Sequence, residues 1–170
     1  MDANQKASKV LKDLRFDFAT FTVDGFLSAV GQSRGREIIT IPWDMPPTLF
    51  GAWVSDGDEP KEYIFYRNNV PVTHQIHIQL HEISHFLLGH ATLKITQELI
   101  GEVVAGTASF PFGEKTCLRS PQTVDLENEA EALASMIQKR VIQNSKIGLL
   151  VDDTSAKEKL ADFLKKMGAA

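Results

Sequence analysis

One cysteine, Cys117, stands in the 170 residues. An intramolecular disulfide is therefore excluded, and a reducing compartment is the expectation. Cys117 has Gly, Pro and Ser residues in its neighbourhood, where a loop thiol is a better reading than a nucleophile or ligand. Long apolar runs are missing too: none reaches the length of a membrane span. Met1 to Leu14 lacks the apolar core of a signal peptide. A cytoplasmic protein with no membrane partner is expected. Positive charge is in short supply, with 18 Lys and Arg against 22 Asp and Glu and a net charge of −4. No basic cluster offers a phosphate-binding face, so direct nucleic-acid binding is not expected. Repeats and low-complexity segments are absent.

What is present is an ordinary globular composition, 43% hydrophobic and 24% charged, in a length that fits one domain over residues 1–170. Residues 4–15 and 23–32 read as amphipathic helices, the second stopped at Gly31 or Gly35. Residues 37–43 (EIITIPW), 48–54 and 62–67 (EYIFYR) read as strands, bounded by Pro42, Pro46-Pro47 and the turn Ser55-Asp56-Gly57-Asp58. Their close spacing predicts a small sheet rich in antiparallel pairing. Asp56 and Asp58 lack the rest of a calcium loop, and a solvated turn is expected. A helix follows Pro71 and ends at Gly89. Residues 92–104 read as helical, 106–122 as a long loop, and 124–143 and 154–167 as helices.

The third helix holds the chemistry. In His81-Glu82-Ile83-Ser84-His85 the histidines are four residues apart, so they stand one turn apart on one face. Both imidazoles can then reach one zinc ion at about 2.0–2.1 Å. Glu82 between them is placed as general base toward a water at the metal. Ile76, Leu80, Ile83, Leu87 and Leu88 supply the apolar wall of this helix.

One protein ligand remains to be found. On a continuous helix His90 lies about 180° from His81, which suits a capping or supporting role better than ligation. His74 and His77 share the face of His81. His77 could replace a ligand, assist as proton donor or oxyanion stabiliser, or simply line a cleft. On a helix through Leu126, Ala130, Leu133, Ile137 and Val141, Glu129 falls about 60° from Leu126, near the apolar arc. Glu127 and Glu131 point about 100° and 140° to the other side. A carboxylate aimed at the core is costly unless paired or metal-bound, which favours Glu129 as third ligand. Glu98 and Glu102 are rivals that read more simply as solvated helix positions.

At HEISHFLLGH (81–90) and ENEAEALASMI (127–137) the sequence resembles the ImmA/IrrE family of bacterial and phage zinc metallopeptidases. The resemblance covers about residues 20–140. It implies a zincin-like α+β peptidase core with Zn²⁺ on His81, His85 and Glu129. It also implies limited proteolysis of a DNA-binding repressor or similar helix-turn-helix regulator encoded nearby. Leu133 stands where that family usually has an aromatic, and the proline that usually ends the helix is missing. The alternative function is a regulator-binding module that keeps the zinc site without cleaving. A metal-free fold in which the histidines satisfy one another is the third reading.

Overall fold

Four strands and five α-helices make up the computed structural model, which describes residues 1–45, 48–109 and 121–144. The expected helix at 154–167, Cys117, Pro46-Pro47 and most of the 106–122 loop lie outside the described residues. In chain order the elements are α1 (Ala3–Asp13), α2 (Val23–Arg34), β1 (Glu37–Trp43), β2 (Gly51–Asp56) and β3 (Lys61–Arg67). Then come α3 (Val72–Leu88), β4 (Leu93–Ile95), α4 (Gln97–Ala105) and α5 (Pro121–Asn144). The fold class is mixed α and β. Among the described residues no helix is long and apolar enough to cross a membrane.

The sheet runs β1-β3-β2-β4. Among the described strands only β2 and β3 pair antiparallel, with Gly51 opposite Tyr66 and Ser55 opposite Glu62. β1 lies parallel to β3 and β4 parallel to β2. The expectation of an antiparallel-rich sheet is therefore corrected to a mixed one. Close strand spacing suggested antiparallel pairing, but β2 lies beyond β3 instead of beside β1, and that lateral order leaves no mark in the spacing. The expected helix at 92–104 likewise divides into β4 and α4, split at Thr96, whose hydroxyl caps α4 by accepting from the Leu99 N–H.

Side chains along the central strands alternate between faces. Trp53 and Ile64 point into a helical layer with Phe26, Leu80, Ile83, Leu133 and Ile137. Ala52, Val54, Tyr63 and Phe65 point the other way, toward Ile95, Ile100 and Val103. Each fully buried Leu, Ile or Phe contributes about 1.5–3 kcal/mol relative to exposure, so these two clusters hold the sheet between its covers. α5 packs on both α1 and α3. Phe16 meets Phe18, Phe21 and Phe26 edge-on at centroid distances of 5.3, 6.2 and 5.2 Å, closing the corner between α1 and α2.

Two carboxylates are buried in the sheet among the described residues. Glu62 is 2% exposed and accepts from Trp53 Nε1 and Ser55 Oγ, each at 2.6 Å, while Arg36 pairs with its other oxygen. Asp56 is also buried rather than solvated: it accepts the N–H groups of Asp58 and Glu59, and the Tyr63 hydroxyl. The rest of the turn, Gly57 to Pro60, is exposed as expected, and Asp56 anchors it from the sheet side.

Candidate metal centre

α3 is amphipathic with an unusual polar side. Ile78, Leu80, Ile83 and Leu87 are buried, and the helix stops at Gly89 in the left-handed conformation (φ 73°). The helical repeat leaves His74, His77, His81 and His85 along one flank, and the last three of them meet α5. His81 Nε2 and His85 Nε2 converge to 3.1 Å. Glu127 of α5 meets this pair, with Oε2 3.0 Å from His81 Nε2 and Oε1 3.6 Å from His85 Nε2.

Three donors so placed can be tested against a metal. Ligands about 2.0–2.2 Å from a tetrahedral centre stand about 3.3–3.5 Å from one another. The donor atoms of His81, His85 and Glu127 all lie within 4.8 Å of each other, and their nearest separations bracket that value. Two imidazole nitrogens and a carboxylate are also a donor set that suits zinc. The residues fit the ion.

The electrostatics favour positive charge at this point. Burial alone would lower the His81 pKa, but Glu127 and Glu131, helped by Glu82, outweigh it and push it up to about 10. His81 and His85 hold Glu127 well below the usual carboxylate range, and His77 and His81 do the same to Glu131. A cation between these carboxylates would take the place of that proton.

Glu82 projects from the next position around α3, toward β2. The Trp53 backbone N–H donates to its carboxylate, and burial pushes its pKa up. This is a partly desolvated base beside two histidines. Gly51 makes room for it: a Cβ there would stand 2.5 Å from Ile78 Cγ2 and 2.7 Å from Glu82 Oε1.

The structure brings Glu127, and not Glu129, against the His81–His85 pair. Glu129 is indeed buried, as its place near the apolar arc suggested, but it faces α1 and His90: it pairs with Lys6, and Oε2 lies 3.3 Å from His90 Nε2. Glu127 is half exposed and still meets both histidines, so a carboxylate at this place needs no burial. Burial cost was the wrong criterion for such a place. Glu98 and Glu102 are exposed on α4 and do not join the cluster. His77 lies 3.1 Å from Glu131 and 3.4 Å from Gln138, so it links α3 to α5. His74 sits further along, its ring 5.3 Å from that of Phe50.

His90 departs from its wheel position. The left-handed Gly89 ends the helix and folds the chain back, so that the His90 N–H donates to the His85 carbonyl. The two rings meet with Nδ1 atoms 2.8 Å apart. Sequence reasoning gave no role to Gly51 or Lys6. An isolated glycine in a strand marks close approach of another group, a signal available for Gly51; nothing local marks Lys6. Comparison with protein-family models, curated proteins and solved structures finds no match for this chain.

Proposed function

We propose that this protein is a zinc-dependent metallopeptidase with a zincin-like core, its ion held by His81, His85 and Glu127. The convergence of those three donors, with Glu82 beside them, carries the reading. A bound zinc would supply Lewis-acid polarisation of the scissile carbonyl and a water of lowered pKa. Glu82 takes a proton from the attacking water and returns it to the leaving amine. Its partial burial and raised pKa suit both halves of that transfer. The resemblance to ImmA/IrrE peptidases supports a protein substrate, a helix-turn-helix regulator encoded nearby, and a cytoplasmic setting.

The test pairs Glu82→Gln with wild type, each co-expressed with the neighbouring regulator. The variant keeps the side-chain shape and removes the basic oxygen. Zinc content should stay near one per chain while cleavage falls by about 10²–10⁴-fold. Full derepression by Glu82→Gln with the regulator intact would replace proteolysis by binding-led regulation.

A further inference from the structure

We propose that His90, Glu129 and Lys6 form a positioning chain that fixes the tautomer and ring orientation of His85, anchoring the metal centre to the N-terminal helix. The inference rests on the metal reading of His81, His85 and Glu127. Four residues from separate parts of the chain make the connection. His85 Nδ1 lies 2.8 Å from His90 Nδ1, His90 Nε2 lies 3.3 Å from Glu129 Oε2, and Glu129 Oε1 pairs with Lys6 of α1.

The direction of each hydrogen bond follows from the outer end. Glu129 is held ionised by Lys6 and can only accept. His90 Nε2 must then carry the proton and donate to Glu129. In neutral His90 the Nδ1 is consequently an acceptor, so His85 Nδ1–H is the donor of the inner bond. In the neutral His85 that a metal ligand must be, this leaves the lone pair on Nε2, the atom facing His81 Nε2 and Glu127. A ligand histidine whose second nitrogen donates to a fixed acceptor is oriented and made more basic toward a metal.

His81 has the same support by a shorter route, its Nδ1 lying 3.3 Å from Glu131 Oε2. The alternating acids of Glu127-Asn128-Glu129-Ala130-Glu131 therefore divide their work. Glu127 meets the Nε2 atoms, while Glu129 and Glu131 hold the far nitrogens, one through His90 and one directly. Both Glu129 oxygens are engaged, which makes it a positioning residue and not a ligand. The side chains of His90 and Glu129 are only 5% and 11% exposed, so water does not readily replace either.

The experiment measures Co²⁺ and Zn²⁺ affinity by chelator competition, with the visible absorption of the cobalt protein as a probe of ligand geometry. Wild type, His90→Leu, Glu129→Gln and Glu127→Ala are compared, each checked for folding in the metal-free state. His90→Leu should weaken binding about 10–100-fold and alter the cobalt spectrum, with one ion per chain still reached at saturation. Glu129→Gln, which preserves volume and keeps the test open should His90→Leu fail to fold, should move both readouts in the same direction. Unchanged affinity and spectrum in a folded variant would overturn the chain while leaving the metal site intact. Loss of the ion by Glu129→Gln as complete as by Glu127→Ala would also overturn it, by making Glu129 a ligand. A wild type that takes up neither ion would overturn the metal reading, and the chain's role with it.

Discussion

A methyl group on Gly51 would stand 2.7 Å from Glu82 Oε1 and 2.5 Å from Ile78 Cγ2, so the Glu82 carboxylate is seated against the bare backbone of β2. Gly51→Ala must push one of these neighbours away. Ile78 is buried and resists, which directs the displacement toward the carboxylate. Overpacking of this kind costs about 1–3 kcal/mol, and a misplacement of about 1 Å at a reacting group costs on the order of 10² in rate. The expected outcome is a folded protein with full zinc content and about 10²-fold lower turnover. Zinc analysis and regulator cleavage, run side by side, check it; wild-type turnover would show that Glu82 does not depend on this seat.

The ligand assignment makes a sharp contrast among glutamates. Glu127→Ala removes a donor that reaches both histidines, whereas Glu98 and Glu102 face solvent on α4. Loss of a ligand should reduce zinc below stoichiometric at micromolar protein, and Glu98→Ala and Glu102→Ala should leave it unchanged. Metal analysis after gel filtration decides. Zinc retained in Glu127→Ala would send the third ligand elsewhere.

The approach of His81 to His85 was legible because α3 carries its own evidence. The spacing of His81 and His85, the apolar positions and the terminating Gly89 all act within one helix, where 3.6-residue geometry applies directly. The α5 helix was equally plain, and Ala130, Leu133, Ile137 and Val141 are buried as its apolar arc requires. That Glu127 meets His81 and His85 while Glu129 meets Lys6 and His90 was not legible. It depends on which of two neighbours, α1 or α3, each flank of α5 faces, and a helical wheel contains no neighbours. His90 was misplaced for a related reason: the wheel extends the helix through Gly89, where the backbone reverses hand. Sheet order was hidden as well, because a short link between strands does not say on which side the next strand joins.

The buried Glu62–Arg36 pair predicts a stability effect separable from the metal. Glu62→Gln keeps an oxygen for Trp53 and Ser55 but leaves the Arg36 guanidinium without its counter-charge. Breaking a buried pair from one side costs about 3–5 kcal/mol, and the partial exposure of Arg36 places this case at the lower end. Urea denaturation should show that loss with zinc affinity unchanged. A loss below about 0.5 kcal/mol would mean Arg36 finds equivalent solvation.

The charged pairs between α3 and α5 set a pH dependence for the metal-free protein. His81 is raised from 6.5 to about 10 in the fold, against its burial, by Glu127 and Glu131. Its contribution is therefore complete below pH 6.5 and is lost as pH rises toward about 10. His77, raised chiefly by Glu131, acts in the same direction. Glu127 and Glu131 lie below 4.5 in the fold because His81, His85 and His77 bind their ionised forms, so their contribution is present above pH 4.5 and lost as pH falls. Glu82, raised by burial, adds a further decline as pH climbs above 4.5. The network is most complete at mildly acid pH. Because both glutamates are half exposed, each pair contributes at most about 1 kcal/mol, or a few degrees in melting temperature for a chain of this size. The metal-free melting temperature should peak between about pH 4.5 and 6.5 and fall toward pH 8. Zinc reverses the upper limb, since it needs His81 deprotonated and competes with its proton. The increment in melting temperature from added zinc should grow from pH 5 to pH 8. Scanning calorimetry with and without zinc measures both limbs, and Glu127→Gln should flatten the metal-free curve and abolish the increment. A metal-free melting temperature that rises from pH 6 to pH 8 would mean that His81 is not held between these carboxylates.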